Sequence, residues 1–133
     1  MLGVRARIDG AHILLAEDNE LGQEAITRFL ELAGAKVWLA RNGKEALDLL
    51  HHAHFDCVLM DVQMPVMDGL EATRLIRSTN AFAGIPVIAM TGDASNESRQ
   101  RCLAAGMDDF IPKPFMPGKF LDELSKWLPT RKT

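Results

Sequence analysis

The sequence predicts an α/β fold: a doubly wound sheet of five parallel strands with five helices covering both faces. Short apolar runs alternate along the chain with segments whose apolar residues repeat at helical spacing. The first, third and fourth runs are continuously apolar, as in strands that are covered on both faces. Because the helix of each strand–helix–strand unit returns the chain to the edge where the first strand began, we expect parallel strands joined by right-handed crossovers.

The composition predicts one domain, and the apolar runs within it predict five strands. The chain has 133 residues, of which 47% are hydrophobic and 25% charged, and this fits one domain with a sizeable core. We expect the domain at residues 11–129, with residues 1–10 as a linker or cloning remnant and residues 130–133 as a tail. The predicted strands are Ile13–Ala16, Val37–Ala40, Cys57–Met60, Ile85–Met90 and Phe110–Ile111.

Five helices are predicted, one after each strand. Apolar residues at i, i+3, i+4 and i+7 indicate the first three, and a wide apolar stripe indicates the fifth. Gly34 is a candidate C-terminal cap, Asn42 with Glu45 resembles a capping box, and Asp68-Gly69 marks a turn. In helix order, the residues are Ile26, Phe29, Leu30 and Ala33; Ala46, Leu49, Leu50 and Ala53; Ala72, Leu75, Ile76 and Thr79; the span Ser95–Ala105; and Phe120, Leu121, Leu124, Trp127 and Leu128.

The charge and apolar pattern exclude several classes of protein. A net charge of −3 disfavours binding to nucleic acid or to an anionic membrane. No run approaches the ~20 apolar residues of a membrane helix, and the first residues lack the apolar core of a signal peptide. We therefore expect a cytoplasmic location, with Cys57 and Cys102 as buried free thiols.

Chemically active side chains follow four of the five predicted strands. In open α/β sheets the ligand crevice lies at the carboxyl ends of the strands, so these side chains should meet there. Three carboxylates repel one another by on the order of 4 kcal/mol per pair at ~4 Å and an effective dielectric of about 20. A hard divalent cation such as Mg²⁺ and the ammonium of Lys113 would offset this repulsion and would also suit a phosphoryl group. The residues are Glu17 and Asp18 after the first strand, Asp61 after the third, Thr91 after the fourth and Lys113 after the fifth.

Four motifs resemble the receiver domain of two-component response regulators: Leu15–Asn19, Asp61–Gly69, Met90–Gly92 and Lys113–Phe115. The resemblance extends over about residues 11–128. It implies the flavodoxin-like (βα)5 receiver fold and a regulatory phosphoacceptor that catalyses only its own phosphorylation and dephosphorylation. Glu rather than Asp at the first acidic position is frequent in receivers of hybrid sensor histidine kinases, so the resemblance also implies such a parent protein.

The resemblance implies a role for each site residue. Asp61 is the expected phosphoacceptor, which takes a phosphoryl group from a phosphohistidine. Asp18 and Asp61 are expected to ligate Mg²⁺, or Mn²⁺ in its place, together with the backbone carbonyl of Gln63. Glu17 is expected to act mainly through water, and Lys113 to pair with the phosphoryl oxygens.

Thr91 and Phe110 are the expected switch pair. Thr91 would hydrogen-bond to a phosphoryl oxygen, and Phe110 would fill the space that Thr91 leaves. The face formed by the fourth helix, fifth strand and fifth helix would then change shape, and it is a candidate surface for a homodimer. The expected partner is a histidine kinase or a histidine phosphotransfer domain, without direct binding to nucleic acid or membrane. The resemblance also implies a cis bond between Lys113 and Pro114.

Three alternative functions stay open at this point. The chain could be a stand-alone single-domain response regulator, or an interaction module that is not phosphorylated. It could also be a phosphatase of the haloacid-dehalogenase kind, although Gln63 stands where those enzymes usually carry a second Asp.

Two groups of charged residues are expected to have no part in the site. His51, His52 and His54 are interpreted as solvated residues near a helix end, where histidine suits the helix dipole. Arg99 and Arg101 are interpreted as part of a solvated face, with contact to a partner as the second interpretation.

Overall fold

The computed structural model describes residues 7–129, in which five strands alternate with five helices as predicted. Among the helices of this range, none has the length and apolar character that crossing a bilayer requires. In chain order the elements are β1 His12–Ala16, α1 Glu20–Leu32, β2 Lys36–Ala40, α2 Gly43–His52, β3 Cys57–Asp61, α3 Gly69–Ser78, β4 Val87–Thr91, α4 Asn96–Ala105, β5 Asp109–Pro112 and α5 Pro117–Ser125.

The strands form one parallel sheet in the order β2-β1-β3-β4-β5. The order changes direction between β1 and β3, which makes this the topological switch point. Ala16 pairs with Met60 across these two strands. The next residues in sequence, Glu17 and Asp61, therefore leave neighbouring strands at the same edge of the sheet.

Two hydrophobic clusters cover the two faces of the sheet. Ile13 and Leu15 belong to the first cluster, whereas Leu14 and Ala16 belong to the second. Successive side chains of a strand point to opposite faces, so a strand buried on both faces has to be apolar throughout. Helices α1 and α5 complete the first cluster, and α2, α3 and α4 complete the second. The helical residues are Ile26, Leu30, Phe120 and Leu124 in the first, and Ala46, Leu50, Ala72, Ile76 and Cys102 in the second.

The structure differs from the predicted boundaries at several places. Strand β4 begins at Val87 rather than Ile85, because the carbonyl of Ile85 accepts a hydrogen bond from Arg77 and the following Pro86 has no N–H to donate. Leu75, which was placed on the buried stripe of α3, is 41% exposed. Helix α5 ends at Ser125, although the predicted apolar stripe continues into the buried Leu128.

The predicted caps form, one of them in modified geometry. Asn42 Oδ1 accepts from the N–H of Glu45 at 2.9 Å, as in a capping box. Glu45 Oε1, however, accepts from the N–H of Arg41 at 2.8 Å, one residue before the cap. After α1, Gly34 follows the capping residue Ala33 with a φ of +95°, a conformation that favours glycine.

Part of the predicted linker packs against the domain. Residues 1–6 and the predicted tail at 130–133 lie outside the described residues. Ile8 is fully buried in the first cluster, and the N–H of Gly10 donates to Gly34 O at 2.8 Å. Residues 8–10 therefore add contacts to the core before the predicted domain start at residue 11.

Both cysteines are free and buried, as predicted. Burial raises the pKa of the Cys57 thiol far above its ordinary range, with a further contribution from the charge of Asp108. The thiolate is the reactive form, so Cys57 should be inert in the folded protein.

Arg77 joins the end of α3 to two other segments, the loop before β4 and the connection between α4 and β5. Its guanidinium donates to Gly106 O at 2.8 Å, to Ala83 O at 2.9 Å and to Ile85 O at 2.6 Å. It also forms an ion pair with Asp108 at 2.7 Å. The carbonyls thus satisfied belong to the loop before β4 and to Gly106, the residue that follows α4.

We expect Arg77→Ala to lower the free energy of unfolding by about 2–3 kcal/mol, because several carbonyls lose a charged donor at once. Chemical denaturation monitored by circular dichroism measures this. Arg74→Ala is the matched control, since Arg74 is an exposed residue of the same helix. Equal stability of the two variants would show that the Arg77 contacts contribute nothing.

Candidate functional site

A cleft opens at the carboxyl edge of the sheet, over the switch point. Its volume is about 1030 Å³. The ends of β1, β3, β4 and β5 all contribute to it, as the parallel order requires. The residues of the predicted site that line it are Glu17, Asp18, Asp61, Gln63, Thr91 and Lys113.

Three carboxylates meet in this cleft. Glu17, Asp18 and Asp61 each offer an oxygen, and these oxygens lie within 4.8 Å of one another. Glu17 is 1% exposed and Asp61 is 6% exposed, whereas Asp18 faces solvent. The cluster therefore combines two carboxylates with little access to water and one at the entrance.

Lys113 is the cation that the structure places among these acids. Its Nζ donates to Glu17 Oε1 at 3.0 Å and to Asp61 Oδ2 at 3.1 Å. Burial alone would lower the pKa of Lys113, but the hydrogen bond to Glu17 and the charge of Asp61 outweigh it, so that its pKa is raised. Lys113 therefore stays charged.

The negative charge of Glu17 is less well compensated by its neighbours than the positive charge of Lys113. Burial raises the pKa of its carboxyl above the ordinary value, and the neighbouring Asp61 raises it further, whereas the hydrogen bond from Lys113 acts in the opposite direction. One ammonium faces three carboxylates, so the cleft carries an excess of negative charge. This excess favours binding of a second cation.

The turn between β1 and α1 holds the first acidic pair. Asn19 caps α1 by accepting from the N–H of Gly22 at 2.9 Å. The side-chain amide of Gln23, one turn into the helix, donates to Glu17 O at 2.6 Å. A Cβ on Gly22 would lie 2.7 Å from Glu17 Oε1. The missing side chain at this position leaves room for the buried carboxylate.

The turn after β3 holds Asp61. Its Oδ1 accepts from the backbone N–H of Gln63 at 3.2 Å, which fixes the orientation of the carboxylate. Gly69, the first residue of α3, packs directly on this segment, and an added Cβ would overlap the carbonyl oxygen of Asp61. The start of α3 can approach the strand end this closely only because residue 69 has no side chain.

Thr91 is buried at the end of β4 and reaches the same cleft. Its hydroxyl accepts from the N–H of Asp93 at 3.0 Å. Its carbonyl accepts from the N–H of Lys113 at 2.7 Å, which joins the ends of β4 and β5. The bond between Lys113 and Pro114 is cis, as the resemblance implied.

Phe110 lies outside the lining of the cleft. It pairs with Ala89 of β4 and packs, partly buried, against the second core cluster. The guanidinium carbon of Arg99 lies 5.0 Å from the centre of its ring. Phe110, the second residue of the predicted switch pair, therefore lies on β5 next to α4 and outside the cleft.

Three residues that shape the site were missed in the sequence. In the sequence Gly69 indicates only a turn, and Gly22 belongs to none of the predicted motifs, although a glycine early in a helix is a signal that a neighbour needs the space. Asp93 gave no signal, because the contact from its N–H to Thr91 depends on how the loop folds. His51, His52 and His54 are exposed and do not line the cleft, as predicted.

We expect Gly69→Ala to lower the free energy of unfolding by about 1–3 kcal/mol, because the new methyl group would force α3 away from the Asp61 carbonyl. Gly118→Ala is the matched control: nothing lies within 4 Å of its added Cβ, and alanine favours the helix by about 0.5–1 kcal/mol. Thermal and chemical unfolding of both variants measure this. A Gly69→Ala protein as stable as the control would contradict the close contact.

The donor set fits a hard divalent cation. Carboxylate oxygens are the ligands that Mg²⁺ prefers, and Mg²⁺ usually binds through one or two of them together with waters. The exposed Asp18 leaves room for such waters, and the charge excess of the cleft provides the attraction. The acidic cluster can therefore bind a metal ion.

Known proteins share this chain's sequence pattern. A family model described as the response regulator receiver domain matches residues 13–125. Hybrid signal transduction histidine kinase I of Dictyostelium discoideum is 41% identical over 112 residues, covering 79% of this chain and 6% of that protein. The polar-differentiation response regulator DivK of Brucella ovis is 34% identical over 116 residues, covering 87% of this chain and 94% of that protein. The chain thus spans a small part of the hybrid kinase and most of DivK.

Solved structures share the fold. The receiver domain of sensor histidine kinase PA1611 from Pseudomonas aeruginosa superposes with a TM-score of 0.84 at 38% identity, covering 89% of this chain and 97% of that one, and it holds a magnesium ion coordinated in its active site cleft. Another similar chain comes from the co-crystal structure of the Saccharomyces cerevisiae histidine phosphotransfer protein Ypd1 with the receiver domain of Ssk1. It superposes with a TM-score of 0.81 at 26% identity, covering 90% of this chain and 89% of that one. Sheet order, acidic edge and family match agree, and we conclude that the chain belongs to the response regulator receiver domain family.

Proposed function

We propose that this receiver domain accepts a phosphoryl group on Asp61 from a phosphohistidine, with Mg²⁺ bound beside it. One observation carries the proposal. An Asp61 oxygen lies 3.1 Å from the Lys113 ammonium, inside a cluster of three carboxylates whose oxygens are within 4.8 Å of one another. A nucleophile, a fixed cation and a set of metal ligands are thus in one cleft.

The transfer itself makes one bond and breaks one. An Asp61 oxygen attacks the phosphorus, the P–N bond of the phosphohistidine breaks, and its electron pair returns to the imidazole nitrogen. The product is an acyl phosphate. Lys113 is held charged by Glu17 and Asp61, so it can neutralise a phosphoryl oxygen without a proton transfer. Hydrolysis later returns the Asp61 carboxylate and inorganic phosphate.

The proposed metal ligands are those that the resemblance to receiver domains implies, and the three carboxylates among them lie together in the cleft. Asp18 and Asp61 would bind the ion directly together with the backbone carbonyl of Gln63, and Glu17 would act through water. Mg²⁺ supplies charge neutralisation for the phosphoryl oxygens when it is bound, and Mn²⁺ is the proposed substitute. The magnesium ion in the active site cleft of the similar PA1611 receiver supports the binding of Mg²⁺ in this cleft.

The proposed switch couples Thr91 to Phe110. Before phosphorylation the Thr91 hydroxyl is engaged by the N–H of Asp93. Movement of Thr91 toward the phosphoryl group would release this contact and open space behind it. Phe110 would then turn inward, and the surface formed by α4, β5 and α5 would change shape.

A histidine kinase or a histidine phosphotransfer domain is the proposed partner. The relatives include a hybrid histidine kinase, and a similar receiver forms a complex with Ypd1. We propose that the chain is the receiver of a hybrid sensor kinase. The alternative is a stand-alone regulator, as the similarity to DivK over nearly its whole length would also allow. A homodimer through the α4–β5–α5 surface, the domain limits at residues 11–129 and a cytoplasmic location stay predictions.

The other two functions gain no support. The family match is to receivers rather than to haloacid-dehalogenase phosphatases, and Gln63 occupies the position where those enzymes usually carry their acid. An interaction module without phosphorylation would not need a cleft in which three carboxylates meet Lys113.

The test is phosphoryl uptake by the purified protein. Incubation with Mg²⁺ and a small phosphodonor such as acetyl phosphate or phosphoramidate should raise the mass by one phosphoryl group. Chelation of the metal with EDTA should prevent the increase. An unchanged mass, in a sample that binds Mg²⁺ saturably by titration calorimetry, would overturn the proposed function.

A further inference from the structure

The ring of Phe110 has a cation over its face. The guanidinium carbon of Arg99 lies 5.0 Å from the ring centre, within the roughly 6 Å range of cation–π contacts. Arg99 is exposed and belongs to α4, whereas Phe110 belongs to β5 and is partly buried. The contact therefore joins the exposed surface of α4 to a ring that also packs against the second core cluster.

The surroundings of Arg99 bear on the strength of this contact. Within residues 7–129 Arg99 forms no ion pair. Asp109, the residue beside Phe110, uses one carboxylate oxygen to accept from the Trp127 indole at 2.8 Å and the other to accept from the N–H of Phe110 at 2.8 Å. The described contact of the Arg99 guanidinium is thus with the ring of Phe110.

The pairing of β5 with β4 places Phe110 near Thr91 of the phosphoryl site. Phe110 pairs with Ala89 of β4, and Thr91 lies two residues further along that strand, on the same face of the sheet. The Thr91 hydroxyl is held by the N–H of Asp93, so hydroxyl and ring are both held in the packing that precedes switching. An inward movement of the ring would have to break its contact with Arg99.

We propose that Arg99 is a positioning residue of this receiver: its guanidinium holds Phe110 outward and thereby opposes the switched packing. The inference rests on the proposed function, because it concerns the conformational change that follows phosphorylation of Asp61. A ligand that binds only the switched packing has an apparent affinity reduced by the small population of that state. Removing a contact made only in the other state should therefore strengthen binding.

The experiment titrates the protein with beryllofluoride, an acyl-phosphate mimic, in saturating Mg²⁺ and follows backbone amides by NMR. Arg99→Gln should lower the apparent Kd about two- to fivefold, as expected for the loss of a solvent-exposed cation–π contact. The apparent Kd of Arg99→Lys should lie between the values for the wild type and for Arg99→Gln, since lysine keeps a cation at this position. Arg101→Gln is the matched control: Arg101 is also exposed on α4, and its variant should match the wild type.

Two further measurements separate positioning from a general effect on the helix. In the wild type, the Arg99 side-chain Nε–H signal should show a ring-current shift that is lost in Phe110→Leu and on saturation with beryllofluoride. In the Phe110→Leu background, Arg99→Gln should no longer change the Kd. An Arg99→Gln protein that binds with unchanged or weaker affinity overturns the inference alone. A wild-type protein that does not bind beryllofluoride overturns the proposed function as well.

Discussion

Asp61→Asn should abolish phosphoryl uptake, the largest effect expected of any substitution in this chain. The amide has nearly the shape of the carboxylate but lacks the nucleophilic, negatively charged oxygen that attacks phosphorus. Asp61 also belongs to the cluster of carboxylates within 4.8 Å, so the variant should bind Mg²⁺ more weakly. Intact-mass analysis after incubation with the phosphodonor and Mg²⁺ measures uptake, and metal titration measures affinity.

Asp48→Asn is the control for this variant, because Asp48 is an exposed acid of α2 outside the cleft. The control should take up one phosphoryl group like the wild type. Asp61→Asn should remain folded, since it removes one of three mutually repelling carboxylates. Uptake that persists in a folded Asp61→Asn protein would place the phosphoacceptor elsewhere.

Lys113→Met should separate metal binding from phosphoryl transfer. The substitution keeps most of the aliphatic stem and removes the ammonium that donates to Glu17 and Asp61 at 3.0 and 3.1 Å. Without this charge the cluster is more negative, and Mg²⁺ should bind about tenfold more tightly. Phosphoryl uptake should nevertheless slow by roughly 10²–10³-fold, because a positioned cation at the developing negative charge is lost.

The same variant has a consequence for stability. In the absence of metal, the three carboxylates lose their fixed counterion, and we expect the free energy of unfolding to fall by about 1–2 kcal/mol. The effect is moderate because the Lys113 side chain is 32% exposed and its pairs are partly screened by water. Saturating Mg²⁺ should restore most of the loss, since the ion replaces the missing charge.

Lys119→Met serves as the control, because Lys119 is an exposed residue of α5. Its metal affinity, uptake rate and stability should equal those of the wild type. An unchanged uptake rate in Lys113→Met would mean that the ammonium does not act on the phosphoryl group. Weaker Mg²⁺ binding by the same variant would contradict the expected effect of its charge on the metal ion.

The strand-end residues could be predicted because parallel topology converts sequence order into position. Once β1 and β3 are recognised as neighbouring parallel strands, Glu17 and Asp61 have to leave the sheet at the same edge, whatever the details of packing. The apolar runs identify the strands for an equally local reason, since a strand buried on both faces cannot contain polar residues in its middle.

The contacts that tune the site depend on distances between segments far apart in sequence. Gly69 touches the carbonyl of Asp61 only because α3 starts against the end of β3, and a glycine after Asp68 is equally typical of a simple turn. Leu75 has the right spacing for the buried face of α3, yet it is 41% exposed.

The fold class, the order of the elements and the set of acidic and basic side chains at one edge of the sheet can all be predicted from the sequence. These follow from the periods of strands and helices and from the residue after each strand. The contact of Arg99 with the ring of Phe110 and the hydrogen bonds from Arg77 to the loop before β4 depend instead on how the folded segments pack together. In the sequence both arginines resemble ordinary residues of a helix surface. Which groups they contact depends on how the helices pack on the sheet.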